Sequence, residues 1–403
     1  MRALWSSLMK VRRATDKRFS TYCLLLGIST LAWSFALVAL PFEALDHPDG
    51  KQLLAHAVLL GLLPRLLAPL FAPWLKRSLR GINAAGAATV TLILLWLSLH
   101  AAPLLIQLAY VLIGINVVLN STTPSLLVRA WFPQAAWMKA NALVGVVTLG
   151  IPVVAWPLAG FISELLGYNF VLRFAALGFL AVALLAFTAI PAGVLLPEDG
   201  GEETDGRLPV LSYAPLLLIV LIALAWLGYL QVAVPALLDR FPGAGAIYGW
   251  YGGLFSLGMA AGAGVLFVAG NRLEPVRALG FSGFLLTAAV LTYIAPGTGW
   301  LLAAGGAYGL GLGAVQTAGA TYLQEVAPQN LLARVLTWMS SATSAASMLG
   351  AYLGGRLLEA HAKLAIGVAV LLAMATLLFW TFGQDRLLPH GMRLRLWPFK
   401  ERG

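Results

Sequence analysis

Trp131-Phe132-Pro133-Gln134-Ala135-Ala136-Trp137-Met138-Lys139-Ala140-Asn141 is answered 195 residues later by Val326-Ala327-Pro328-Gln329-Asn330-Leu331-Leu332-Ala333-Arg334-Val335-Leu336. Pro-Gln recurs, and a basic residue follows five positions after the glutamine in both copies. The same shift carries Gly114 onto Gly309, Leu158 onto Leu353 and Gly160 onto Gly355. A shift of 194 lays Ala39-Leu40-Pro41 over Ala233-Val234-Pro235. The chain therefore reads as two copies of one unit, and each copy consists mainly of long apolar segments.

Composition places those segments in a membrane. Of 403 residues, 60% are hydrophobic and 10% charged, and the mean hydropathy is +0.86. A water-soluble domain of this length needs more charge on its surface. The first apolar run, from Phe19 to about Phe42, is too long for a signal-peptide core and is followed by no small-x-small cleavage site, so a retained first span is expected. The single cysteine, Cys23, excludes an intrachain disulfide.

A helix needs about 20 apolar residues to cross the hydrocarbon core. Twelve stretches qualify: 19–43, 52–74, 82–99, 103–127, 141–164, 169–196, 212–238, 246–270, 277–295, 300–323, 333–357 and 364–384. Helices are expected because backbone groups in lipid must be satisfied internally, and the alternation of a barrel is absent. The fold class is thus an all-α polytopic membrane protein of twelve helices in two pseudo-repeated six-helix bundles. The expected boundaries are a bundle at 1–196, a cytoplasmic linker at 197–211, a second bundle at 212–386 and a basic tail at 387–403. The linker is acidic and glycine-rich, as a flexible connection would be.

Basic residues orient the bundle. With the N-terminus in the cytoplasm, the inner segments hold Arg12-Arg13, Lys17-Arg18, Lys76-Arg77 with Arg80, Arg272, and the tail residues Arg393, Arg395, Lys400 and Arg402. The outer segments hold only Lys51, Arg173, Arg240, Arg356 and Lys363. Both termini are expected inside. The net charge of +10 follows from this topology and does not call for nucleic acid.

Leu63-Pro64-Arg65-Leu66-Leu67-Ala68-Pro69, Lys139-Ala140-Asn141-Ala142-Leu143 and Ala333-Arg334-Val335, in that order along twelve spans with a polar central linker, resemble the major facilitator superfamily, and within it the bacterial drug- and siderophore-exporter branch. The resemblance covers nearly the whole chain. It implies the major facilitator fold and alternating access about a central cavity. The family's signature between spans 2 and 3 is matched only in its basic part: Lys76, Arg77 and Arg80 are present and the aspartate is missing. The matching loop of the second half, with Arg272, is a partial match too. These residues are expected as a gating loop, or simply as positive-inside anchors. Trp156-Pro157-Leu158-Ala159-Gly160 resembles the span 5 exporter motif without its glycine before the proline.

Ionisable groups at membrane depth are costly and mark function. Arg65 lies about nine residues before the inner end of span 2, about 13 Å deep at 1.5 Å per residue, and could draw in an anion. Glu43 and Asp239 follow the matched prolines at the outer ends of spans 1 and 7 and are the proton-coupling candidates. His56 is a further candidate or a packed histidine. No carboxylate stands in the middle of a span, which argues against permanently cationic cargo. Asn116, Asn120 and Thr123 share one face of span 4. With Ser34, Gln231 and Gln316 they form the expected substrate-binding set, and Trp33 and Trp226 could add aromatic walls. Interhelical hydrogen bonding is the alternative role for each polar residue.

The expected function is secondary active transport in a bacterial inner membrane, with proton-coupled export of a small amphipathic, neutral or anionic molecule. A facilitator or importer on the same fold is the alternative. The expected partners are a small-molecule substrate, protons and the lipid bilayer, with no nucleic acid, and the chain is expected to work as a monomer. No cofactor or metal is expected. Zinc-ligand spacing, a nucleophile elbow and a phosphate loop are all missing from the sequence, so no enzyme is expected.

Overall fold

The computed structural model describes residues 2–77, 79–131, 134–190, 210–269, 275–295, 297–326 and 329–378. Twelve α-helices run through them: α1 (Arg2–Leu45), α2 (Gly50–Arg77), α3 (Leu79–Leu97), α4 (Pro103–Trp131), α5 (Gln134–Leu166), α6 (Tyr168–Ala189), α7 (Val210–Leu238), α8 (Ala244–Ala269), α9 (Pro275–Thr292), α10 (Thr298–Val326), α11 (Gln329–Arg356) and α12 (His361–Leu378). Each of the twelve expected spans falls on one helix. The tail expected at 387–403 and most of the linker expected at 197–211 lie outside the described residues; Val210 and Leu211 already belong to α7.

Among the described residues, eight of these helices hold a stretch long and apolar enough to cross a membrane. The described side chains of α9 form a shorter apolar stretch, Leu279–Thr292. α8 and α10 are rich in glycine and α11 in serine. Such residues let helices approach closely. Large apolar side chains, among them Leu92, Leu104, Leu184, Phe281, Trp300 and Met374, are exposed on the outside. That surface suits lipid and would be a liability in water.

The packing repeats as the sequence does. In the first six helices α1 packs on α5 and α6, α2 on α4, and α3 on α4 and α6. In the second six α7 packs on α11 and α12, α8 on α10, and α9 on α10 and α12. A methyl group on Gly114 would run into the Gly61 carbonyl where α4 crosses α2. On Gly309 it would run into the Phe255 carbonyl where α10 crosses α8. Gly114 and Gly309 are the repeated glycines, so the duplication preserves a backbone-to-backbone crossing that only glycine admits. Between the halves, α5 packs on α8 and α2 on α11, each contact being the pseudo-symmetric image of the other.

Candidate functional site

The halves meet directly near the end where α1 runs into α2 and α7 into α8. On the α5–α8 side, Gly160 lies against Gly245 and Gly249, and Pro157 against Gly253. On the α2–α11 side, Gly355 lies against Ala55. Phe42 of α1 stands edge-on to Tyr248 of α8 with ring centres 5.7 Å apart, and Trp156 of α5 edge-on to Tyr248 at 5.4 Å. Four acidic residues collect at this end. Tyr168, at the start of α6, is within electrostatic reach of Glu164, Asp46, Asp239 and Glu43. Glu43 is buried. The carboxyl of Asp46, in the turn after α1, is pushed above the usual aspartate range by burial and by the Asp239 charge, with His47 opposing.

Beyond this contact lies a cavity of about 300 Å³, lined by both halves. From the first half come Trp33, Pro41, Gly61, Arg65, Tyr110, Gly114 and Trp156; from the second, Gln231, Tyr248, Tyr251, Phe255, Met259 and Gln316. The volume is at the lower end of the range for small-molecule pockets. Trp33 and Trp156 pack edge to face at 6.4 Å, and Tyr248 and Tyr251 stack at 6.2 Å, so one wall is almost continuously aromatic. Arg65 is the one charged residue among the described residues of the lining. It has no carboxylate partner among the described residues. A guanidinium without a carboxylate partner among the described residues, facing an apolar, aromatic chamber, can attract an anion, because the low surrounding dielectric strengthens any charge pair formed there.

Arg65, Gln231 and Gln316 thus come together at the cavity, with Trp33 beside them. Asn116, Asn120, Thr123 and Ser34 are placed elsewhere. Ser29 donates to Asn116 Oδ1 at 3.2 Å. Asn120 donates to Ser29 Oγ at 2.7 Å and to Asn116 Oδ1 at 2.9 Å. Asn83 of α3 donates to Thr123 Oγ1 at 3.4 Å, and Ser34 donates back to the Thr30 carbonyl at 2.8 Å. The cavity face of α4 is Tyr110, Ile113, Gly114 and Val117. The amide face lies about a quarter-turn away at 100° per residue, against α1 and α3. Arg80 rests on α6: its guanidinium lies over the Phe187 ring at 5.5 Å and donates to the Phe187 carbonyl at 3.5 Å. The side chains of Lys76 and Arg77 and the whole of Arg272 lie outside the described residues. His56 is exposed. Trp226 belongs to a buried stack inside the second half, and its Nε1 is the one buried side-chain polar atom without a hydrogen-bond partner among the described residues.

Comparison with solved structures places this architecture. The chain superposes on a D-xylose–proton symporter with a TM-score of 0.72 at 12% identity, over 92% of this chain and 99% of that one. The chain has the major facilitator fold. A peptide transporter in complex with sulfate matches with a TM-score of 0.70 at 14% identity, over 90% of this chain and 94% of that one. A bacterial homologue of the human lysosomal transporter Spinster, in an inward-facing and occupied conformation, matches with a TM-score of 0.66 at 14% identity, over 93% and 98%. No family profile and no curated protein sequence matches the chain. Identities this low carry the major facilitator fold and not a substrate.

The sequence did not single out Tyr110, Tyr248, Tyr251 or Glu164. A tyrosine inside an apolar helix looks like packing until its neighbour is known. Glu164 sits at the end of a span, where a solvated acid is unremarkable.

Proposed function

We propose that this protein is a secondary active transporter that exports a small amphipathic molecule, neutral or anionic, against a proton gradient. The cavity between the two pseudo-symmetric halves carries this reading: it is apolar and aromatic, with Arg65 as the one charged residue among the described residues of its lining. Arg65, Gln231 and Gln316 hold the polar end of the substrate, and Trp33, Trp156, Tyr248 and Tyr251 hold its body. Glu43 and Asp239, in the acidic cluster where the halves meet, take up and release the coupling proton. Rocking of the halves about the cavity alternates its access, and substrate and proton bias the two populations differently. The basic clusters favour a bacterial cytoplasmic membrane with both termini inside. The export direction draws support from the short motifs shared with drug and siderophore exporters. The test is flux in proteoliposomes under an imposed pH gradient, using compounds that a deletion strain retains or becomes sensitive to. Flux that follows the gradient supports the reading; flux that merely equilibrates the compound identifies a facilitator.

A further inference from the structure

The second half contains a half-buried imidazole that the transport reading does not use. His361 is the first residue of α12, as Tyr168 is the first residue of α6. The two rings open corresponding helices, although the shift of 195 carries Tyr168 onto Lys363 and not onto His361. The Tyr229 hydroxyl lies 2.9 Å from His361 Nδ1, and the ring also faces the backbone carbonyl of Tyr293. Tyr229 stacks on the imidazole with centres 5.5 Å apart at 18°, and Trp226 stacks on it at 5.8 Å and 29°. Tyr293 closes the third side edge-on at 6.4 Å. The Tyr293 hydroxyl in turn hydrogen-bonds that of Tyr251 at 2.8 Å, and Tyr251 lines the central cavity.

This environment accepts both charge states. The neutral ring takes a hydrogen bond from Tyr229 at Nδ1. With one proton added from solvent at this end of the bundle, Nδ1–H donates to the Tyr229 oxygen, and the tyrosine hydroxyl hydrogen turns away. The charge then lies over the faces of Trp226 and Tyr229, an arrangement that attracts a cation. The titratable groups facing the ring are Tyr229 from α7 and Tyr293 from the turn after α9. α7 has no charged residue, and α9 has only Arg277 near its opposite end. Glu359 and Lys363, beside His361 in sequence, and Arg356, at the end of α11, are exposed.

We infer that His361 is a proton-binding site of the second half, joined to the cavity wall through Tyr293 and Tyr251. Its protonation reorients the Tyr229 hydroxyl and shifts the Tyr293–Tyr251 pair, so that an external proton is sensed where the substrate binds. The site does not require Glu43 or Asp239.

The test needs no substrate. Imidazolium quenches a stacked indole, so the emission of Trp226 reports the charge on His361. It is isolated as the difference between the native protein and Trp226→Phe, both full-length in nanodiscs, titrated from about pH 4 to 8.5 so that the ordinary histidine value of about 6.5 lies well inside the window. The expected difference falls as pH falls, and it becomes pH-independent in a His361→Gln background. Tyr229→Phe, which retains the ring stack, should lower the midpoint by about 0.5–1 pH unit, because a hydrogen bond to the cation is worth more than one to the neutral ring. Tyr251→Phe should move the midpoint as well. A pH-dependent difference that survives His361→Gln overturns the site. If that variant does not fold, an unmoved midpoint in Tyr229→Phe overturns it. An unmoved midpoint in Tyr251→Phe removes the connection to the cavity. Each outcome is independent of whether the protein exports, imports or equilibrates its substrate.

Discussion

Glu164, near the end of α5, accepts the backbone N–H of Gly245 at the start of α8, with Oε1 3.1 Å away. The Ala246 N–H lies 3.4 Å from the same oxygen. A carboxylate of the first half thus caps a helix of the second, satisfying N–H groups that have no partner within α8 and meeting the positive end of its dipole. The shift of 195 carries Glu164 onto Glu359, which is exposed.

Removing this cap should loosen the contact between the halves. Glu164→Ala is expected to cost about 1 kcal/mol, the usual worth of an N-cap, and Glu164→Gln less, since its amide oxygen still accepts. Thermal unfolding in detergent should rank the native protein above Gln and Gln above Ala. Equal midpoints for all three would remove the latch.

The glycines of α5 should separate into two kinds. A methyl on Gly160 meets the Gly245 carbonyl oxygen at 2.5 Å and Gly249 Cα at 3.1 Å, whereas one on Gly150 meets nothing within 4 Å. Backbone atoms cannot step aside, so Gly160→Ala should force α5 off α8 and reduce both stability and flux. Gly150→Ala should be neutral or gain up to about 1 kcal/mol from helix propensity. The pair is read by melting temperature, and similar losses at both positions contradict the assigned packing.

Arg65→Gln should weaken binding of an anionic ligand about 10–100-fold, the worth of a charge-assisted hydrogen bond of 1.5–3 kcal/mol. An amide analogue of the same ligand should change little. Titration calorimetry on such a carboxylate–amide pair gives the answer directly; equal losses for both would mean that Arg65 supports the fold rather than the ligand.

Asn116→Ala leaves Ser29 and Asn120 without the oxygen they share. Hydrogen bonds between membrane helices average about 0.6 kcal/mol, so a drop in stability of that order is expected with ligand affinity retained. A selective loss of affinity would instead place Asn116 at the substrate.

Asp46 gives a pH dependence of known sign. Its pKa is raised in the folded protein, by burial first and by Asp239 second. Its contribution to stability is therefore complete below the unfolded aspartate value of about 3.9 and is lost as pH rises through the raised value. Asp46→Asn should flatten the decline in melting temperature over that interval. The effect is modest because Asp46 is only partly withdrawn from solvent. An unchanged pH profile would show that the two acids do not interact.

The fold was legible because lipid constrains a sequence so strongly. Each crossing segment must be apolar and helical, and the duplication fixes which helices correspond. Part of the cavity was legible for the same reason: Arg65, Gln231 and Gln316 are conspicuous in apolar surroundings, and they do meet at the cavity. Asn116 and Asn120 were equally conspicuous, yet Ser29 of α1 covers them.

The sequence by itself determined twelve helices, their pairing into two like halves and which residues share a face of each helix. Tertiary structure alone decided which face meets the cavity, which meets a neighbour, and that Glu164 reaches α8 and His361 reaches Tyr229. The reason is geometric. Helical periodicity fixes a side chain's direction relative to its own axis, but the occupant of that direction depends on how helices cross, and the crossing is set by contacts between residues far apart in the chain.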